Sequence, residues 1–290
     1  MKPPPFEYHA VGSVEEAVGL LAEHGDEAKV LAGGQSLVPL LALRLARPAH
    51  LVDINGVSEL ASFANGDALR VGCLVRQRVA ERAGAVGVAN PLLVRALGLI
   101  GHTAIRNRGT IGGSIAHADP AAELPTVLVA LDGEVEATSR RGPRTVAASE
   151  LFRGFLTTSL APDELLTGVR FPPWLAGTGW SFQEFSRRSG DFAIAGVAVT
   201  VRLDTNGVAT DVRIALSGMG PTPVRASSAE AALVGQPPSE AAWNAASQEA
   251  VAGLDPPSDV HGSAAYRRHL AGVMTRRALR EAHERAEVRS

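Results

Sequence analysis

A chain of 290 residues with 46% hydrophobic residues, 20% charged residues and a formal net charge of −2 has the composition of globular material, with room for two or three domains. That near-neutral balance excludes a dedicated nucleic-acid binder, which needs a basic excess to neutralise phosphates. No apolar run is long enough to span a bilayer, and "MKPPPFEYHA" lacks the apolar core of a signal peptide, so the expectation is a cytoplasmic chain without a membrane span. The single cysteine, Cys73, rules out an intrachain disulfide and any cysteine-ligated zinc or iron-sulfur centre within the chain. His9, His24, His50, His102, His117, His261, His269 and His283 are scattered without metal-ligand spacing. They read as surface or packing residues, and no metal site is expected.

In chain order, the first segment reads as a compact unit of helices and strands. Ser13 followed by Glu16 is a capping box, and Val14, Ala17, Val18, Leu20 and Leu21 form an apolar helical face that stops at Gly25. "AKVLAG" then predicts a short buried strand ending at Gly33. "SLVPLLALRLA" predicts a helix capped by Ser36, with Pro39 in the first turn and Arg47 and Pro48 closing it. "AHLVDI" supplies a second strand. A glycine turn between a strand and a helix can present backbone N–H groups to an anion, although Gly33 and Gly34 could equally make a plain connection.

A second segment begins near residue 58, with a strand at "ALRVG" and helices at "LVRQRVAER" and "PLLVRALGLIG". It continues into "GHTAIRNRGTIGGSIAHADPAAELP", where Gly112 and Gly113 are flanked by Thr110 and Ser114. Asp119 is placed to cap the next helix, with Pro120 at its first position. Arg106 and Arg108 could meet a phosphate or a partner, but solvated loop arginines are the commoner case. Two hydroxyl-flanked glycine turns in separate segments suggest one extended ligand held between them. "EVEATS" and "ELLTGVRFP" add strands, and "FPPW" marks a boundary.

The third segment changes character. "WSFQEFSRR", "FAIAGVAVTVRL" and "VATDVRIALSG" read as an antiparallel meander, followed by helices near "SSAEAALVG", "SEAAWNAASQEAV" and "AAYRRHLAGVMTRRALREAHERA". A sheet with its helices segregated after it is an α+β pattern. Arg267, Arg268, Arg276 and Arg277 read as a solvated helix face, with a subunit contact as the other reading.

"VLAGGQSLVPLLALRLARP", "IRNRGTIGGSIAHADPAAELP", "SRRSGDFAIAGVAV", "LSGMGPTPVRA" and "YRRHLAGVMTRRAL" together resemble the FAD-binding medium subunit of molybdenum hydroxylases, the carbon monoxide dehydrogenase and xanthine dehydrogenase family. The likeness runs in order from about Phe6 to about Ala286. It implies an α+β chain: a two-lobed FAD domain of the vanillyl-alcohol oxidase type, lobe 1 over residues 1–57 and lobe 2 over 58–175, followed by a C-terminal domain over 176–290. It also implies that Val30, Leu31, Ala32, Gly33, Gly34, Gln35, Ser36 and Leu37 wrap the FAD diphosphate, while Thr110, Gly112, Gly113 and Ser114 meet the cofactor from the other lobe. Carried over by position, Ile100 is an apolar contact, Glu123 a polar contact and Leu165 a contact near the flavin end. "GDFAIAG" would lie along the isoalloxazine ring with Phe192 or Ile194 near its face, although Phe192 reads equally well as core. Gln183 aligns where some relatives carry lysine, which puts a charge-based role there in doubt.

No catalytic acid, base or nucleophile stands out. Flavin carries electrons by itself, while the protein supplies orientation, solvent exclusion and tuning. The resemblance therefore implies an electron-transfer subunit with non-covalent FAD. Its partners would be a large subunit bearing the molybdenum cofactor and a small subunit bearing iron-sulfur clusters, assembled as a dimer of heterotrimers that serves an external acceptor. The alternatives are a stand-alone FAD oxidase or dehydrogenase acting directly on a small organic substrate, and a scaffold on the same fold without cofactor.

Overall fold

The computed structural model describes residues 2–287. Helix α1 (Val14–His24) starts where the capping box placed it, with Ser13 Oγ accepting from the N–H of Glu16 at 3.1 Å. The Glu16 carboxylate reaches back to the N–H of Gly12, 2.7 Å away, and Gly25 ends the helix at φ 50°. Ala17, Val18 and Leu21 are buried beneath a three-stranded parallel sheet in the order β1 (Glu7–Ala10), β3 (His50–Asp53), β2 (Ala28–Leu31). Helix α2 (Leu37–Ala42) is shorter than its apolar pattern predicts. It stops five residues before Arg47, Arg44 takes φ 59°, and Leu43 and Leu45 are exposed, so no burial stabilises a further turn.

The second body is a five-stranded antiparallel sheet in the order β4 (Phe63–Asn65), β5 (Leu69–Gly72), β10 (Leu165–Phe171), β6 (Glu134–Ser139), β7 (Gly142–Ala147). Between β5 and β6 the chain makes α3 (Gln77–Arg82), α4 (Gly84–Ala89), α5 (Pro91–Leu97), α6 (Thr103–Arg108), α7 (Ile111–His117) and α8 (Glu123–Ala130). Helix α9 (Ala148–Leu151) and the small pair β8 (Phe152–Gly154) and β9 (Thr157–Thr158) precede β10. Glycines hide α4 and α7 from a periodicity reading, because each removes an apolar marker from a helix only a turn or two long.

The antiparallel meander is present as β11 (Gly179–Phe185), β12 (Ala195–Leu203), β13 (Ala209–Ser217) and β14 (Val224–Arg225). Helices α10 (Ser227–Leu233), α11 (Glu240–Glu249) and α12 (Ala264–Glu287) follow it. Strands β12 and β13 are buried on both faces, and alternation sorts their residues by size. Val197, Val199, Val201, Val212, Ile214 and Leu216 join the core under the three helices. Ala198 and Ala215 face the other way and join the core of the preceding body, together with Phe182. Small side chains on that face let α8 approach the sheet closely.

Helix α8 is apolar all round, and Leu124 through Ala130 are buried, as expected of a helix enclosed by two layers. It is tied near both ends to the C-terminal sheet. The N–H of Gly218 donates to Pro120 O at 2.8 Å, and Arg225 Nη1 donates to Val129 O at 2.9 Å and to Asp132 Oδ1 at 2.7 Å. Among the described residues no helix is long and apolar enough to cross a membrane.

Phe182, 1% exposed, is the largest fully buried side chain that the C-terminal sheet contributes to the shared core. Phe182→Ala should cost about 3–5 kcal/mol through lost burial and the cavity left behind. Chemical denaturation followed by tryptophan fluorescence measures it, and a change below about 1 kcal/mol would mean that the two bodies do not share this core.

Candidate functional site

The two glycine motifs meet at a backbone contact. The turn leaving β2 passes so close to the α6–α7 connection that a Cβ at Gly33 would lie 2.5 Å from Arg108 O and 2.8 Å from Gly109 Cα. Only glycine permits that approach. Gly34 holds φ 72°, a conformation costly to side chains. Ala32 also comes near the second motif, since a Cβ at Gly113 would sit 3.9 Å from Ala32 Cβ.

A polar chain that the sequence reading missed closes this junction. Arg76 Nη1 donates to Arg108 O at 2.5 Å, Arg76 Nη2 donates to Asn55 Oδ1 at 2.7 Å, and Asn55 Nδ2 donates to Ala32 O at 2.9 Å. The Asp53 carboxylate accepts from Asn55 and from the Tyr8 hydroxyl at 2.5 Å. Burial works against its charge, but these hydrogen bonds and the nearby Arg76 hold its pKa below the usual carboxylate value. Burial and the charge of Arg108 lower the pKa of Arg76. The partners lie 21 to 32 residues from Arg76 in sequence, which is why no local pattern exposed them.

The two motifs differ in what they leave free. In the first, no backbone hydrogen bond is donated by Gly33, Gly34, Gln35 or Ser36 among the described residues. Ser36 does not cap α2 as expected; it is itself in helical conformation and makes no capping bond, so its hydroxyl is uncommitted. In the second, the N–H groups of residues 111–114 are all taken. Ile111 donates to Val75 O and Gly112 to Cys73 O, both at 3.0 Å, Gly113 to Thr110 Oγ1 at 3.0 Å, and Ser114 to Thr110 O at 3.2 Å. Gly112 is buried, and a Cβ there would lie 2.3 Å from Cys73 Cβ, so its first duty is to seat α7 against the end of β5. Burial pushes the Cys73 thiol up to about 12, which leaves it inert packing. Gly113 and Ser114 are only partly buried.

Helix α7 leads from this junction to a cleft of about 520 Å³ between the second body and the C-terminal sheet. Asp119, Pro120 and Phe155 line one side; Arg187, Phe192, Ile194 and Gly218 line the other. Phe192 is 71% exposed and therefore not core, while Ile194 is 3% exposed behind it. Asp119 caps no helix. Its Oδ1 accepts from the N–H of Ala121 at 2.8 Å in a turn, and α8 begins only at Glu123.

Several charged residues sit otherwise than the sequence reading placed them. Arg106 is buried, paired with Glu81 at 2.9 Å, and donates to Ile100 O at 2.8 Å, so it holds the 100–101 loop and is not a solvated arginine. Arg108 has an exposed side chain. Arg267, 5% exposed, donates to Ile194 O at 2.8 Å and to Asp259 at 2.7 Å, so it braces the cleft wall and is not part of a solvated helix face. Gln183 is not brought to the cleft. Strand alternation turns it toward α12, where Nε2 donates to Glu281 Oε2 at 2.5 Å. Leu165 is 2% exposed at the start of β10, and Ile100, Val30 and Ala32 are partly buried against the same core.

Glu123 opens α8, and its carboxyl is pushed up to about 8, first by burial and then by the charge of Glu184. Burial likewise raises Glu184 to about 7, with Arg95 opposing, and its Oε2 is sealed off without a partner among the described residues. Two carboxyls that resist ionisation thus stand beside the turn that leads into the cleft.

The free N–H groups of the first turn, two uncommitted hydroxyls, the missing side chains and the cleft beyond fit a large anionic cofactor with a planar end. Residues 4–174 match the family model described as the FAD binding domain in molybdopterin dehydrogenase, and residues 180–282 match the CO dehydrogenase flavoprotein C-terminal domain. Together these define the class, a flavoprotein chain of the molybdenum hydroxylases. The 6-hydroxypseudooxynicotine dehydrogenase complex subunit alpha of Paenarthrobacter nicotinovorans is 46% identical over 99% of this chain and 97% of its own. The carbon monoxide dehydrogenase medium chain of Hydrogenophaga pseudoflava is 40% identical over 97% of this chain and 98% of its own. A solved chain of that organism's carbon monoxide dehydrogenase superposes with a TM-score of 0.96 over 98% of this chain and 99% of its own, at 41% identity. The chain belongs to the FAD-binding medium chains of the carbon monoxide dehydrogenase and xanthine dehydrogenase family, whose members are subunits of oxidoreductases.

Two outcomes follow from the geometry. Gly33→Ala drives a Cβ into backbone that cannot rotate away, so it should lower the thermal midpoint by several degrees and release flavin together; loss of neither would refute the junction. Because Glu123 has a raised pKa, the folded state binds more protons than the unfolded chain between its ordinary value and about 8. Stability from this group is therefore full at low pH and declines as pH rises through that window. Denaturant midpoints from pH 5 to 8.5 should show that decline, and Glu123→Gln should make it shallower, leaving the part that the raised Glu184 carboxyl contributes.

Proposed function

We propose that this chain is the FAD-carrying electron-transfer subunit of a heteromeric molybdenum hydroxylase. The observation that carries the reading is the division of labour at the junction, where the turn at 33–36 keeps its N–H groups free while residues 111–114 spend theirs. The free groups would hold the FAD diphosphate, with Ser36 and Ser114 adding hydroxyl donors. The cleft would hold the isoalloxazine end, Phe192 and Ile194 forming its wall and Arg267 keeping that wall in place. Gln183 is dropped from the site, and Thr110 acts through Gly113 as a helix cap. Glu123 stays as a neutral polar group near the cleft mouth.

When bound, FAD supplies one- and two-electron chemistry that this chain's side chains lack. The chain itself binds, orients and excludes water. Its one cysteine, buried and packed, cannot ligate iron-sulfur clusters, so electrons would arrive through a small iron-sulfur partner from a large partner with the molybdenum cofactor, and leave to an external acceptor. The similarity to chains named as medium or alpha subunits of dehydrogenase complexes supports this over a stand-alone oxidase.

Gly113→Val tests the cofactor site. Its Cβ would crowd the Thr110 hydroxyl at 2.7 Å and otherwise make only ordinary contacts at 3.9 Å with Ala32 and Thr110 Cβ. It should therefore cost about 1 kcal/mol of stability through the weakened cap, yet abolish retention of flavin absorbance after desalting. Retained flavin in this variant would remove the assignment. Purification from the native source should bring down two further chains carrying molybdenum and iron-sulfur; turnover of an organic substrate by this chain alone would overturn the subunit reading.

A further inference from the structure

The fold gathers three histidines that the sequence scatters. His9 lies on β1, His24 closes α1 and His50 opens β3, and one ring nitrogen from each falls within 4.8 Å of the others. His9 Nε2 and His50 Nδ1 are 3.1 Å apart. The rings of His24 and His50 stack at 3.6 Å between centroids and 8° between planes, and His9 lies beside the pair, 5.4 Å from His50 and 5.8 Å from His24. All three are partly buried, and the Glu7 carboxylate stands 3.6 Å from His50 Nδ1. The strands are parallel, so His50 and the end of α1 lie at the opposite end of the sheet from the Gly33 turn.

We infer that His9, His24 and His50 form a binding site for a divalent transition ion, zinc by preference, separate from the cofactor junction. Three imidazoles on three different elements supply the nitrogen set that first-row divalent ions favour, and Glu7 or water supplies a fourth, oxygen ligand. A Zn–N bond of about 2.0–2.1 Å in tetrahedral geometry separates neighbouring nitrogens by about 3.3 Å. The His9–His50 pair already meets that spacing. The stacked His24 and His50 rings must turn apart about χ2, a broad and soft torsion, to aim their lone pairs at one point. Bound there, the ion would clip the end of α1 to β1 and β3. It would act as a structural fastener of the first body, stabilising by its affinity for the folded chain.

The test uses the full chain, freed of metal with a chelator and titrated with zinc chloride in a calorimeter. One equivalent should bind, and saturating zinc should raise the thermal midpoint by several degrees. His24→Asn, at the solvent-facing end of a helix, and His9→Asn should each weaken binding at least tenfold and cancel that rise. His269→Asn, outside the cluster, should match the parent chain, and flavin absorbance should be unchanged in all. Failure of the parent chain to take up zinc, or equal uptake by His24→Asn and His9→Asn, would overturn the site without touching the FAD assignment.

Discussion

The absence of a side chain at residue 33 is the constraint on which the site depends. Because nothing larger than hydrogen separates Gly33 from Arg108 O and Gly109, the turn after β2 and the connection before α7 occupy fixed positions relative to each other. Everything else at the junction follows from that closeness. Arg76 can reach the carbonyl of Arg108 and the amide of Asn55 at once, and Asn55 can reach Ala32. A turn pinned in this way cannot relax to satisfy its own N–H groups through α2. Those groups stay available, preorganised at no further cost when an anion arrives.

The two glycine pairs look alike as strings and do unlike work. "AGGQS" clears room and leaves donors free, whereas "TIGGS" uses one glycine to seat a helix on β5 and consumes its donors in holding that helix. A motif reading sees only that side chains are missing. Whether the reason is a ligand, a neighbouring backbone or a helix-sheet contact is decided by what stands opposite each Cα, and that is tertiary information.

What the sequence disclosed was local. The capping box at Ser13, the two strands flanking the first glycine turn and the antiparallel meander were legible, because each depends on spacing within about ten residues. What escaped was set by partners far along the chain. Arg106 reads as a loop arginine until Glu81, 25 residues away, is brought beside it, and Arg267 as a solvated one until the carbonyl of Ile194, 73 residues away, accepts its hydrogen bond. Gln183 is a different case. Alternation sets residue 183 on the face opposite Phe182, but both faces of this sheet are apolar, so only the packing shows that its face meets the covering helices. The end of α2 was misjudged for the opposite reason, since "LALRLA" is apolar enough for helix but finds nothing to bury against.

Helix α8 explains how a cleft between two bodies can keep a fixed shape. It is enclosed on every side, and the C-terminal sheet grips it at Pro120 O on the cleft side and at Val129 O beyond. The residues just before it line one wall of the cleft, and Gly218, which donates to Pro120, lines the other. Neither wall can shift without breaking a bond that crosses between them. Burial raises the carboxyls of Glu123 and Glu184 to about 8 and about 7, which disfavours uncompensated negative charge in this enclosed region. Rigidity and controlled charge are both concentrated where α8 meets the cleft, the features by which a protein orients and tunes a bound cofactor.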